Sequence, residues 1–78
     1  MEKQDLQNLV GHFCSNYRTE HLKLTLNELS EDTGVKYKTL YSFERGLSSN
    51  LYIFYLYYNR SKNKAQFVED LRGVVENG

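Results

Sequence analysis

The chain has 78 residues and a formal net charge of zero at pH 7, with 40% hydrophobic and 26% charged residues and no proline. This composition is ordinary for a folded globular chain, and it excludes an intrinsically disordered protein or a long coiled coil. A chain of this length can form a small helical core but not a core with a deep catalytic cleft. We therefore expect a single domain over residues 1–78 and no enzyme.

The cysteine and histidine content excludes two further classes of protein, those held by internal disulfide bonds and those held by a structural zinc ion. Cys14 is the lone cysteine, so no internal disulfide bond can form, and His12 and His21 add too few ligands for a structural zinc site. We expect no metal and no other cofactor, with Cys14 buried and His12 on the surface. The chain opens without a basic signal segment, and its longest apolar run, residues 51–58, is too short to span a bilayer. These features predict a cytoplasmic protein without a membrane partner.

Charge is unevenly distributed along the chain. Residues 1–32 hold three basic and six acidic residues, and residues 65–78 hold one basic and three acidic residues. Residues 33–64 hold six basic residues and one acidic residue. A solvated surface can also show such a cluster, but the basic segment favours an anionic partner for the middle of the chain.

The first helix has the clearest periodicity. Apolar residues recur at the spacing of an amphipathic helix packed on a core, at Leu6, Leu9, Val10, Phe13, Cys14 and Tyr17. Gly11 interrupts this pattern at a cost of roughly 1 kcal/mol relative to alanine, which the apolar contacts can offset.

Two short helices follow within residues 24–46. Leu26 and Leu29 are three residues apart and share a helical face, Thr25 or Asn27 can cap this helix, and Gly34 can end it. In the next helix, beginning at Lys36, the predicted inward face is Thr39, Leu40 and Phe43. The predicted outward face is Lys38, Tyr41, Ser42 and Arg45. Gly46 is expected to end this second helix.

An apolar and aromatic segment occupies residues 51–58, after possible caps at Ser48, Ser49 and Asn50. Periodicity alone fits a buried strand equally well, but no second strand of similar quality is available to pair with it, so we predict a helix. Tyr55 and Leu56 are predicted to lie in the core. An interface and an exposed core rim are about equally supported for Tyr52, Tyr57 and Tyr58.

The last helix is predicted from about residue 64 to residue 76, with Ser61 or Asn63 as its cap. Its apolar stripe consists of Phe67, Val68, Leu71, Val74 and Val75. Gly73 is expected to interrupt the helix and Gly78 to leave its last turn frayed. The whole pattern predicts an all-α chain of five helices.

Residues 24–46 resemble the phage-repressor and Cro-like helix-turn-helix family, often called the Xre family. The residues that match are Leu24-Thr25, Glu28-Leu29, Gly34-Val35, Thr39-Leu40 and Glu44-Arg45-Gly46. Arg18 resembles a basic residue that many members keep at the end of the first helix. Leu26 stands where the family usually has a phosphate-contacting glutamine, Thr33 where it has a core leucine, and Lys36 where a serine commonly caps the recognition helix.

The resemblance implies a compact five-helix domain, with the motif over about residues 25–45, that binds a palindromic operator in double-stranded DNA as a homodimer. The implied base-contacting residues are Tyr37, Lys38, Tyr41 and Ser42. The implied phosphate-contacting residues are Asn27, Lys36, Arg45, Ser48, Ser49 and Asn50. The residues implied in a dimer or partner interface are Tyr52, Tyr57, Tyr58, Phe67, Leu71 and Val74.

Two functions therefore remain open at this stage. The first is a transcriptional regulator from a bacterium, a phage or another mobile element, acting as a repressor by promoter occlusion. The second is an antirepressor or modulator on the same fold, which would bind another regulatory protein through its aromatic surface. An enzyme is rejected because pairs such as Ser15 with His12, or Glu44 with Tyr41, lie on short helices without a third orienting group.

Overall fold

The computed structural model describes residues 1–77, and these residues form helices and connecting segments without a strand. The described α-helices are α1 (Lys3–Tyr17), α2 (Leu26–Thr33), α3 (Tyr37–Glu44), α4 (Leu51–Arg60) and α5 (Lys64–Asn77). A π-helical turn (Arg18–Leu22) continues α1. The all-α class predicted from the sequence is confirmed. Within residues 1–77, no helix has both the length and the apolar composition needed to cross a bilayer.

Local signals in the sequence set the bounds of α2. The Thr25 hydroxyl accepts a hydrogen bond from the Glu28 backbone N–H (3.1 Å), and the Glu28 carboxylate accepts one from the Thr25 backbone N–H (2.8 Å). This reciprocal pair is a capping box, which satisfies two backbone donors that a helix start otherwise leaves unpaired. At the other end Gly34 adopts φ 76°, a left-handed conformation that glycine takes without steric cost. The chain therefore turns after Thr33 and enters α3 within three residues.

The aromatic segment is helical, which resolves the choice between helix and strand. The Asn50 side-chain oxygen accepts hydrogen bonds from the backbone N–H groups of Tyr52 (2.9 Å) and Ile53 (3.3 Å) and so caps α4. Ile53, Leu56 and Tyr57 form the buried face of this helix.

The core lies where the five α-helices meet, and an aromatic cluster fills part of it. Phe67 of α5 is at its centre, with the rings of Phe13, Tyr17, Phe54 and Tyr58 at centroid distances between 4.9 and 5.9 Å. Three of these four pairs are edge-to-face, a geometry that aromatic rings prefer, and the fourth is tilted. The largest fully buried side chains are Tyr57, Phe67, Leu29, Leu40 and Cys14.

Gly11 is the point at which α1 and α3 come closest. A Cβ atom at this position would meet the backbone oxygen atoms of Phe43 and Glu44, the latter at 2.9 Å. These are backbone atoms at the end of α3, so they cannot move away as a flexible side chain can. The glycine that seemed only a cost to the first helix is therefore required by helix packing.

Burial corrects several predictions of side-chain position. Tyr57 (0% exposed) and Phe67 (1% exposed) are core residues and not interface residues. Tyr55, predicted to be in the core, is 49% exposed, whereas Leu56 is buried as predicted. The prediction of which tyrosine faces the core was wrong because residues 51–58 are apolar in every direction, so no polar side chain indicates which face of the helix is exposed.

Two further predictions need correction. Thr39 was assigned to the inward face of the second motif helix but is exposed, because Leu40 and Phe43 already fill that face and Thr39 lies about 100° around α3 from Leu40. The last helix is not interrupted at Gly73 and runs to Asn77. The prediction about Gly78 lies outside the described residues.

Candidate functional site

The exposed face of α3 carries positive charge and phenol rings. Tyr37, Lys38, Thr39 and Tyr41 are exposed on the helix, and Lys36 and Arg45 are exposed at its two ends. Glu44 is the acidic residue of α3, and it is buried at 8% exposure. Ser42 is half-buried. The surface of α3 therefore presents cations and hydroxyl groups without a carboxylate.

Three of these side chains form a row along α3 at a spacing of four residues. The rings of Tyr37 and Tyr41 are nearly parallel, with centroids 6.3 Å apart and planes 9° apart. The Arg45 guanidinium donates a hydrogen bond to the Tyr41 hydroxyl (3.1 Å) and lies 5.6 Å from the centre of the Tyr41 ring. Side chains four apart on a helix are neighbours, so the row follows from the sequence positions. It gives the exposed rings a defined orientation.

Behind this face lies a buried network formed by Arg18, Glu44 and Tyr57. The Arg18 guanidinium donates two hydrogen bonds to the Glu44 carboxylate (2.8 and 2.9 Å), and the Tyr57 hydroxyl donates a third (2.6 Å). The side chains of Arg18 and Glu44 are 10% and 4% exposed. Charges removed from water need such partners, and every buried side-chain nitrogen or oxygen in the described part of the chain has one.

The network also shifts the pKa values of Arg18 and Tyr57. The hydrogen bond to Glu44 raises the pKa of Arg18 above its usual value. Burial, assisted by the hydrogen bond to Glu44, raises the pKa of Tyr57 well above the usual range of a phenol. Arg18 therefore stays charged and Tyr57 stays neutral, each in the form in which it can donate to the carboxylate.

A third bond from Arg18 connects the network to α2. One guanidinium nitrogen donates to the Leu24 backbone oxygen (2.7 Å), in the segment that leads into α2. Arg18 thus contacts the end of α3 through Glu44 and the segment before α2 through Leu24. Tyr57 connects α4 to the same carboxylate. The network fixes the two short helices relative to each other and to the body of the molecule.

The start of α2 lies beside the start of α3. Lys23, Asn27 and Tyr37 line one shallow depression of about 500 Å³. Asn27 and Lys23 are exposed, and Leu26 is half-buried against the core. Asn27 and Lys23, not Leu26, are therefore the polar side chains available at this end of the helix.

The predicted phosphate-contacting residues of the loop after α3 lie at the start of α4. Ser49 and Asn50 are exposed and Ser48 is half-buried. The oxygen of Asn50 is occupied by the helix cap, and the Ser48 hydroxyl oxygen accepts from the Asn50 backbone N–H (3.3 Å). The Asn50 amide group and the Ser49 hydroxyl remain as donors at this surface.

The predicted interface residues do not form one surface. Tyr52 is 59% exposed and Val74 is 36% exposed, Tyr58 and Leu71 are half-buried, and Tyr57 and Phe67 lie in the core. Leu71 lines an apolar groove of about 320 Å³, whose other apolar side chains are Leu6, Val10, Phe43, Leu51 and Phe54.

Sequence reasoning missed Lys23, Thr39 and the buried network. The signal for Lys23 was its position just before the capped start of α2. Arg18 and Glu44 had been noted separately, as a basic family residue and as part of the motif, but they are 26 positions apart in sequence. Nothing in the spacing indicated that they form a pair.

Comparison with known proteins adds no relative. No protein-family model matches the chain, and neither a curated protein nor a solved structure is significantly similar to it. Function must therefore be argued from the site itself.

Proposed function

We propose that the chain is a small sequence-specific DNA-binding transcriptional regulator, which inserts α3 into the major groove and represses by occluding a promoter. The observation that carries the proposal is the charge of α3. Its acidic side chain, Glu44, is buried against Arg18, while Lys36, Lys38 and Arg45 are exposed on or beside the helix. Cations on an exposed helix that follows a short helix and a tight turn suit the phosphate backbone and the base edges of a duplex.

The side chains on and beside the outer face of α3, including the half-buried Ser42, divide into two roles. Lys38, near the start of α3, can donate to O6 and N7 of guanine, and Thr39 and Ser42 offer hydroxyl groups to base edges. The exposed rings of Tyr37 and Tyr41 offer apolar faces to thymine methyl groups, and the Tyr41 hydroxyl, which accepts from Arg45, keeps its O–H to donate. Lys36, Arg45, Lys23 and Asn27, with the donors of the loop before α4, would bind phosphate.

A twofold dimer would place two copies of α3 about 34 Å apart, one turn of the duplex, and would select a palindromic operator. The chain carries no second module to sense a ligand within the described residues. Occlusion of a promoter requires DNA binding alone, so it is the simplest mechanism for a molecule of this size.

The test is binding of the purified protein to double-stranded DNA from upstream of its own gene, across a salt series. If three cations per protomer neutralise phosphates, log K should fall with log salt at a slope of about −3 per protomer. Lys36→Ala should reduce that slope by about 1 and weaken binding to all sequences alike. Lys38→Ala should weaken specific binding by roughly 10- to 100-fold with little effect on random DNA, since a base contact contributes about 1–3 kcal/mol.

Lys62→Ala is the matched control, because it removes the same charge from the exposed turn between α4 and α5. It should leave binding within about twofold of the native chain. A folded protein that shows no sequence preference at low salt, or that loses as much affinity with Lys62→Ala as with Lys38→Ala, would refute the proposal.

The aromatic face of α4 supports a second candidate function, a protein-interaction module that acts as an antirepressor or modulator of another regulator. Leu51, Tyr52 and Tyr55 are exposed on this face, and α4 has no charged residue before Arg60. Binding through such a surface should change little with salt, in contrast to DNA binding. The same salt series therefore distinguishes the two functions once a binding partner is in hand.

A further inference from the structure

The apolar groove of about 320 Å³ lies between α1, α4 and α5, and the loop before α4 forms part of its wall. Its apolar side chains are Leu6, Val10, Phe43, Leu51, Phe54 and Leu71. These residues are far apart in the sequence, so the groove exists only when the helices are packed together. Its volume is at the lower end of the range in which proteins bind small molecules.

One end of the groove is polar. The groove follows α1 from Lys3 to Val10, which is a length of about 10 Å at the rise of an α-helix. The Gln4 side chain donates a hydrogen bond to the Gly46 backbone oxygen (2.8 Å), and this bond holds the loop before α4 beside the start of α1. Residues 48–50 of that loop also line the groove. The polar side chains of the loop therefore lie at the same end as Lys3.

The opposite end of the groove is apolar and aromatic. The backbone of Phe43 lies against Gly11, the residue that follows the groove-lining Val10 on α1. Phe54 packs on Phe67 of the core, with ring centroids 5.8 Å apart. An occupant that enters from the polar end would therefore meet only carbon atoms as it approaches the core.

The charge of the groove favours an anion at the polar end. Lys3 is the charged residue among the described side chains that line the groove, and within residues 1–77 it forms no ion pair. The hydroxyl groups of Ser48 and Ser49 and the amide group of Asn50 add hydrogen-bond donors beside it. The groove is thus complementary to a small anionic group attached to a narrow apolar body.

We propose that the groove binds a medium-chain aliphatic carboxylate, with its carboxylate at Lys3 and its alkyl chain directed past Val10 toward Phe54. A length of about 10 Å accommodates an extended chain of about eight carbons. A bulkier anion such as a nucleotide would bring polar groups to the apolar end, where they would lack hydrogen-bond partners. The inference rests on the groove alone and holds whether or not the chain binds DNA.

Titration of the protein with sodium octanoate, without DNA and followed by NMR of the methyl groups, tests the proposal. The methyl signals of Leu6, Val10 and Leu71 should shift and saturate with a Kd below about 1 mM. Those of Leu26, which lines a different depression, should not move. From butanoate to octanoate the affinity should rise about two- to fourfold for each added CH₂ group, because each one is buried.

The matched variants Lys3→Gln and Lys62→Gln test the position of the carboxylate. Each removes one exposed cation, but Lys62 does not line the groove. Lys3→Gln should weaken octanoate binding about two- to fivefold, as expected for an exposed ion pair, and should leave the binding of octanol unchanged. Lys62→Gln should alter neither affinity. Lys3 is exposed at the first position of α1, so its replacement should leave the fold intact.

Four results would overturn the proposal. The first is a native chain whose groove methyl signals do not saturate with octanoate, and the second is a shift at Leu26 as large as those in the groove. The third is an affinity that does not grow with the length of the alkyl chain. The fourth is equal octanoate affinity in the two lysine variants, because the carboxylate would then not lie at Lys3.

Discussion

Replacing Arg18 with methionine tests whether the buried network holds the molecule together. Methionine keeps a long unbranched side chain but removes the two hydrogen bonds to Glu44 and the bond to the Leu24 oxygen. Glu44, with a side chain 4% exposed, would keep only the Tyr57 hydroxyl as a partner. Leaving a buried charge without its counterion costs about 3–5 kcal/mol. A domain of this length has roughly 4–12 kcal/mol of total stability, so Arg18→Met should lose a large share of it.

Two comparison variants separate the cost of leaving the Glu44 charge unpaired from the cost of lost side-chain packing. Arg60→Met breaks the ion pair with Asp32 (2.7 Å), whose partners are 24% and 57% exposed, and should cost less than about 1 kcal/mol because water screens such pairs. The triple variant Arg18→Met, Glu44→Leu, Tyr57→Phe removes every polar group of the network at once. It should be more stable than Arg18→Met by at least about 2 kcal/mol, since an apolar replacement leaves no charge unpaired.

Urea unfolding followed by far-ultraviolet circular dichroism gives these differences directly, provided that the transitions keep the same slope. Near the midpoint of thermal unfolding, each kcal/mol should correspond to a shift of about 4–8 °C for a domain of this size. The reasoning fails if Arg18→Met costs no more than Arg60→Met. It also fails if the triple variant is as unstable as Arg18→Met, because the loss would then come from packing and not from the unpaired carboxylate.

Two other predictions concern the core and its edges. Gly11→Ala should destabilise the fold by about 1–3 kcal/mol in the same urea assay, because the added Cβ would meet the backbone at the end of α3. Gly73→Ala should instead stabilise α5 by roughly 0.5–1 kcal/mol, because no atom lies near the added Cβ. Burial and the nearby charge of Glu44 raise the pKa of Cys14. Above about pH 8.5 the thiol of the unfolded chain loses its proton, while the thiol of the folded chain keeps it. Under reducing conditions the free energy of unfolding should therefore fall by up to about 1.4 kcal/mol per pH unit between pH 8.5 and 10. Cys14→Ala should lack this added slope, and an equal slope in both proteins would contradict the argument.

Features with a local cause were predictable from the sequence. The sequence offered Thr25 or Asn27 as the cap of α2, Gly34 as its end, and Ser48, Ser49 or Asn50 as the cap of α4. The structure uses Thr25, Gly34 and Asn50, each of which acts within four positions along the chain. The periodicity of α1 gave a correct helix and a correctly buried Cys14. These signals work because a helix start or stop is decided by a few backbone groups and the side chains next to them.

Features that depend on distant partners were not predictable. Nothing in the sequence indicated that Glu44 is buried, because an unpaired carboxylate is too costly to bury and only the approach of Arg18 changes that balance. Tyr55 and Tyr57 were misassigned for a different reason, since the run at residues 51–58 has no polar side to set its phase. In the structure it is Tyr57 that enters the core, where its ring stacks on that of Phe43 at 5.8 Å and its hydroxyl donates to Glu44.

The burial of Glu44 links the stability of the molecule to the charge of its candidate site. Placed on the surface, this carboxylate would lie one turn from Tyr41 and next to Arg45, and it would repel an anionic ligand. Buried, it is neutralised by Arg18, and the exposed part of α3 keeps only cations and neutral groups. The other acidic residues lie at the N-terminus, on α1, in the π-helical turn, on α2 and on α5, and α4 has none. A net charge of zero is thus compatible with an anionic partner at α3 and a neutral partner at α4, because the exposed acidic residues of the described chain lie outside these two helices.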